Sequence, residues 1–127
     1  MSDVKILATN RHAYHDYFID ETIEAGMSLT GSEIKSVRAG QINLKESYAT
    51  IRNGQAWLLA SHIAPYDPSS RDNHDPLRER KLLLHRREID KLAEKIKLKG
   101  YTLVPVRVYL KNNRAKLELG LGRGKKQ

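Results

Sequence analysis

Two sets of residues in this chain have the types and spacing to do chemistry. Between Tyr101 and Leu121, the residues Arg107, Tyr109, Arg114 and Lys116 alternate with apolar ones, so as strands they would share one face with Tyr101. A face of cations and rings holds single strands and RNA loops: phosphates sit on Lys or Arg, and bases stack on the aromatics, each stack contributing about 1–3 kcal/mol. An ordinary solvated β-face carries the same alternation, and periodicity leaves both readings open. The 5 histidines, His12, His15, His62, His74 and His85, raise a second chemistry, RNA cleavage by an imidazole base and acid. They show no His-Glu-x-x-His spacing, and the strand pattern that begins at Tyr14 takes His12 and His15 off a shared helical face. The chain is therefore expected to bind rather than catalyse. It has no Walker-type phosphate loop and no Gly-x-Ser-x-Gly elbow, and no helix follows Gly120-Leu121-Gly122-Arg123-Gly124 to complete a dinucleotide fingerprint.

Other residues raise narrower questions. Lys35 and Arg38 fall together beside the apolar Ile34 and Val37 of a short helical pattern, either as phosphate contacts or as the wet side of that helix. Glu24 is odd on an RNA-binding surface, because a carboxylate repels phosphate. It can accept hydrogen bonds from base N–H groups, hold an arginine, or simply be solvated. The run Arg80-Lys81-Leu82-Leu83-Leu84-His85-Arg86-Arg87 wedges leucines between cations. Those leucines need a core or a partner, whereas Lys81 and the other cations must stay wet or find anions.

The elements that must position these groups fit one compact domain, which 127 residues can supply with a real core. Without cysteine, disulfides, thiolate zinc sites and thiol catalysis drop out, and nothing in the chain calls for a metal or cofactor. No apolar run approaches the roughly 20 residues that span a bilayer. Nor does Met1-Ser2-Asp3-Val4-Lys5 lead into a signal-peptide pattern, so a cytoplasmic protein without a membrane partner is expected. The net charge of +8 is segregated: from Met1 to Glu33, 2 cations face 6 acids, whereas from Tyr101 onward 7 cations face only Glu118. Such polarity favours a polyanionic partner in a salt-dependent way.

Alternation over Tyr14 to Ala25 predicts a strand with Tyr17, Ile19, Ile23 and Ala25 on one side. A short helix follows, capped at Thr30 or Ser32 and stopped at Gly40. Asn53-Gly54 predicts a hairpin between Ser47–Asn53 and Gln55–Ile63, with Trp57, Leu59 and Ile63 on one face. An exposed loop is expected from Pro65 to Pro76. Ile89, Leu92, Ala93 and Ile96 then mark a helix with half a capping box at Glu88 and a stop at Gly100. In the last hairpin, around Lys111-Asn112-Asn113, Val104, Val106, Val108 and Leu110 are expected to point together with Ala115, Leu117, Leu119 and Leu121. Pro105 lacks an amide donor and predicts an edge or a bulge. The sum is a mainly β protein, a small antiparallel OB-fold-like β-barrel with peripheral α-helices.

Several motifs taken in order carry a resemblance. Asn10-Arg11, His15-Asp16-Tyr17, Glu24-Ala25-Gly26, Gly31-x-Glu33-x-Lys35-Ser36-x-Arg38-Ala39-Gly40, Ala64-Pro65-Tyr66, Arg80-Lys81-Leu82-Leu83-Leu84 and Gly122-x-Gly124-Lys125-Lys126 resemble the small protein B family of SsrA-binding proteins. The resemblance implies a bacterial trans-translation factor with an OB-type barrel. Such a factor binds the tRNA-like domain of transfer-messenger RNA and helps deliver it to ribosomes stalled on messages without a stop codon, where the RNA templates a degradation tag. The implied partners are that RNA and the stalled ribosome, with elongation factor Tu in the delivery complex. By resemblance, Glu24, Leu83 and Lys116 fall in RNA-binding segments. Asn10, Arg11 and His15 match the N-terminal motif, Lys35 and Arg38 the helical one, and Lys125 and Lys126 the closing one. Residues 1–122 are expected to form the single RNA-binding domain, and 123–127 to begin the basic tail that the family normally continues, here cut short at Gln127. A general OB-type RNA-binding or ribosome-associated protein is the alternative.

Overall fold

The computed structural model describes residues 4–67 and 73–125. Its longest hairpin joins β8 (Thr102–Lys111) to β9 (Arg114–Gly124) through Asn112 and Asn113, both at positive φ (51° and 64°). Tight turns of this hand match the strand twist, and asparagine tolerates them. Asn53 and Gly54 (φ 53° and 72°) do the same between β4 (Tyr48–Arg52) and β5 (Gln55–Leu59). β9 pairs along its length with β2 (Tyr17–Met27), while β7 (Arg80–Leu83) links β2 to β5. With β1 (Val4–Thr9) beyond β8, the antiparallel sheet runs β1-β8-β9-β2-β7-β5-β4; a small pair, β3 (Ile42–Asn43) with β6 (His62–Ile63), lies apart from it. One apolar cluster takes Leu7, Met27, Ile51, Leu58, Leu82, Val108 and Leu117 from seven different strands, so the sheet curls around it as the expected barrel. No ladder joins β1 to β4 among the described residues, which leaves the barrel open at that seam.

The helices close this core from outside. At the start of α2 (Gly31–Arg38), the Thr30 hydroxyl accepts from the Glu33 amide (3.4 Å) while Glu33 Oε1 accepts from the Thr30 amide (2.8 Å). Such a reciprocal cap stabilises a helix by about 1 kcal/mol. Val37 is thereby buried and Ile34 packs on the core. The expected helix is α3 (Arg86–Lys99): Glu88 accepts from the His85 amide (2.8 Å), and Gly100 ends the helix in the left-handed region (φ 67°). Leu92 and Ile96 pack on Leu103 and Leu121, and full burial of a leucine is worth about 1.5–3 kcal/mol.

Three expectations are corrected. Tyr14 to Asp16 is not strand: Asn10 gathers the amides of His12 (3.2 Å, side chain) and Ala13 (3.1 Å, carbonyl), winding a short helix α1 (His12–Asp16) whose Ala13 is fully buried. One turn is too short to leave a period in the sequence. Second, the valines do not all point one way, because Pro105 makes the expected bulge, just past the end of the β1 ladder at Thr9 and Arg107. The bulge flips the phase of the valine run. Val108 stays in the main core, whereas Val104 and Val106 pack with Ala13, Tyr17 and Ile19, and Tyr101 leaves the Tyr109 face to pack near Leu92 and Leu103. Third, in β5 Ala56, Leu58 and Leu59 are buried while Trp57 is only half-buried; Ala60 at φ 59° breaks the strand before the buried Ile63, which belongs to β6. The β2–β9 ladder runs on to Gly124, opposite Tyr17, and the Lys125 amide donates to the Asp16 carbonyl (2.8 Å). The Pro65–Pro76 segment is exposed around Tyr66, yet Pro76 accepts from the Ile63 amide (3.0 Å) and His74 is half-buried.

Candidate nucleic-acid interface

Strand registers bring residues distant in sequence into one line across the outside of the sheet. Ile6 on β1 faces Tyr109 on β8, Tyr109 faces Lys116 on β9, Lys116 faces Gly26 on β2, and Gly26 faces Leu83 on β7. Leu83 is 52% exposed although Leu82 beside it is buried at 1%, because side chains of a strand alternate between faces. Gly26 keeps this line low: a Cβ there would meet the Leu83 Cβ at 3.2 Å. Two residues back on β7, Lys81 faces the half-buried Trp57, over whose ring Arg52 lies at 5.0 Å. The line thus offers apolar and aromatic groups to bases and a lysine at its centre to phosphate. Arg114 extends it, exposed opposite Lys111 at the hairpin turn.

Charge is compensated along the neighbouring line. Arg107 Nε lies 3.0 Å from Glu118, and Glu118 faces Glu24 across the β2–β9 ladder. The Tyr109 hydroxyl donates to Glu24, and Lys111 Nζ lies 3.5 Å from the same carboxylate oxygen. The tyrosine hydrogen bond, helped by Lys111 and Lys116, holds the Glu24 carboxyl below its ordinary value against the effect of burial. Burial, and then the anionic partner, raises the Tyr109 phenol, so it stays a donor. Glu24 therefore holds a tyrosine, not an arginine.

A buried network sets α2 against β7. Arg80 is fully buried and thus not a wet cation: its guanidinium reaches Glu33 at 2.8 Å, the Ser61 carbonyl at 2.7 Å and the Pro76 carbonyl at 3.2 Å. Arg78 adds a second clamp on Glu33 (2.6 and 3.1 Å). Burial pushes the Glu33 carboxyl up, but the Arg78, Thr30 and Arg80 hydrogen bonds prevail and bring it to about 2. His74 ties the preceding loop to the same corner, bonding Ser32 (2.9 Å) and the Ile63 carbonyl (2.8 Å). On the outer side of α2, Lys35 lies 5.7 Å from the Tyr66 ring, and Arg38 donates to the Asn113 carbonyl (3.1 Å) at the end of the β8–β9 hairpin. Both are exposed.

The N-terminal candidates gather elsewhere, around α1. The Asn10 side chain does not face a partner: it is buried, donating to the Pro105 carbonyl (2.8 Å) and accepting from His12, so its role is to brace the bulge. Arg11 is exposed at the start of α1, and His15 is exposed with Nδ1 2.7 Å from Asp16. Lys125 donates to the Tyr14 carbonyl (2.9 Å) and lies 5.0 Å from the Phe18 ring, with Arg123 5.9 Å from that ring. Lys126 falls outside the described residues. Sequence reasoning missed Ile6, Gly26, Arg52 and Trp57 on the first surface and Tyr14, Phe18 and Arg123 on this second one. Phe18 and Arg123 meet only through the β2–β9 register, which no local pattern reveals.

A curled antiparallel sheet with cations and rings on its outer face is the architecture of small β-barrel nucleic-acid-binding modules. Within that class the chain belongs to the SmpB protein family, whose model matches residues 7–127. It is 58% identical over 123 residues to the SsrA-binding protein of Bacillus cytotoxicus, covering 97% of this chain and 79% of that one. The SsrA-binding protein of Desulfitobacterium hafniense matches with the same identity and coverage. A solved structure described as "tmRNA-SmpB: a journey to the center of the bacterial ribosome" is 49% identical, covers 93% of this chain and 83% of that chain, and superimposes with a TM-score of 0.75.

Proposed function

We propose that this protein binds the tRNA-like domain of transfer-messenger RNA and helps deliver it to stalled ribosomes for rescue and tagging, in the bacterial cytoplasm. The observation that carries this reading is the line Ile6–Tyr109–Lys116–Gly26–Leu83, which sets apolar and aromatic groups around a lysine on one sheet surface. Relatives named for binding SsrA supply the identity of the RNA. Lys116, Lys81, Arg114, Lys35 and Arg38 are read as phosphate contacts, and Tyr109 and Leu83 as contacts to unpaired bases, while Arg11, His15 and Lys125 form a second RNA-facing patch. The protein acts by binding and not by catalysis. His15 leans on Asp16 and His74 is engaged between Ser32 and a carbonyl, so the two do not form an acid–base pair. Residues 4–125 work as one RNA-binding unit. Competition binding at matched salt tests the reading. Transfer-messenger RNA is expected to displace a labelled tRNA-like domain at much lower concentration than an unrelated structured RNA does, and equal displacement would overturn the specific function.

A further inference from the structure

An acid at the middle of a surface that meets phosphate calls for an explanation, and the path of one side chain supplies it. Tyr109 is on β8 and Glu24 is on β2, with β9 between them. Two strand spacings put their backbones about 9.5 Å apart, beyond what a tyrosine standing upright from the sheet can bridge to a short carboxylate. Yet the Tyr109 hydroxyl bonds Glu24, two residues along β2 from the Gly26 that faces Lys116. The ring must therefore lean across β9 between Lys116 and Glu118, one face on the sheet and the other toward solvent, which agrees with its half-burial. Ile6 faces Tyr109 from β1, Lys116 faces it from β9, and the Lys111 ammonium reaches the same Glu24 carboxylate that the phenol bonds.

We propose that the Tyr109 ring is a stacking platform for one unpaired nucleobase of the RNA, and that Glu24 is its positioning residue, pinning the phenol without touching the RNA. This rests on the reading of the surface as RNA-facing. The lysines beside the ring take the phosphates of the same nucleotide. The carboxylate faces Tyr109 and Lys111, so its repulsion toward those phosphates is largely spent within the protein.

The test measures the dissociation constant for the isolated tRNA-like domain with Tyr109→Ala, Tyr109→Phe, Glu24→Ala, Glu24→Gln and the double variant Glu24→Ala/Tyr109→Phe. Tyr109→Ala is expected to weaken binding about ten-fold or more, the loss of one base stack. Glu24→Ala and Tyr109→Phe each release the ring and cost about three- to ten-fold, whereas Glu24→Gln keeps an acceptor for the phenol and stays within about two-fold of the parent. The double variant is expected to bind no worse than the weaker single one. Multiplying losses, or Glu24→Gln as damaging as Glu24→Ala, would overturn the positioning role. Unchanged binding by both Tyr109→Ala and Lys116→Ala would instead overturn the RNA-facing reading of the surface.

Discussion

Glutamine at position 33 should convert the buried Glu33–Arg80 contact from a support into a liability. Both side chains are fully buried, so Glu33→Gln leaves a guanidinium out of water without its bonded carboxylate, while the retained Oε1 can still cap α2. Removing one partner of such a pair costs about 3–5 kcal/mol. Proton linkage gives a second measure: a carboxyl moved from 4.5 when free to about 2 when folded contributes about 3 kcal/mol. Because the folded value is depressed, that contribution is complete above pH 4.5 and disappears as pH falls toward about 2. The glutamine variant has no such titration. Urea unfolding followed by the fluorescence of Trp57, the single tryptophan, should therefore show a gap of about 3–5 kcal/mol between parent and variant at pH 7 that mostly closes by pH 2.5. Replacing both partners, Glu33→Leu with Arg80→Met, should recover most of the loss, since the Arg78 side chain is 38% exposed and can turn to water. A gap that is the same at both pH values, or a double variant as unstable as Glu33→Gln, would refute the argument.

Neighbouring leucines should separate stability from binding: Leu82→Ala costs about 2–5 kcal/mol in urea unfolding, whereas Leu83→Ala changes stability by less than about 0.5 kcal/mol yet weakens RNA binding. Lys116→Ala should lower the slope of log binding constant against log salt by about one phosphate equivalent, as read from titrations at several ionic strengths. Gly122→Ala should destabilise the β2–β9 ladder by about 1–3 kcal/mol or more, since a Cβ there would collide with the Phe18 carbonyl, and amide exchange of β2 measures it.

Much of this protein is legible one segment at a time. The Thr30–Glu33 and His85–Glu88 spacings place helix starts, Asn53-Gly54 and Asn112-Asn113 place turns, and alternation places strands, because each depends on residues a few positions apart. The α1 turn was not legible, since its Asn10 brace reaches across to the Pro105 carbonyl. The site was visible as a list of types and not as an arrangement. Lys116 and Leu83 could be named, but their standing on either side of a bare Gly26 could not.

Charge shows the division most clearly. Along the chain, acids crowd the first third and cations the last, which favours a polyanionic partner. In space the acidic β2 lies one strand from the end of β8 and beside α3, so Glu24 meets Lys111 across β9, Glu21 meets Lys95 at 2.5 Å and Asp20 takes the Tyr101 hydroxyl. Composition and local pattern settle what each segment is, because turns, caps and alternation are short-range. Which residues share a surface is settled by ladder register and by one bulge at Pro105, because a shift of one residue turns a side chain from core to solvent.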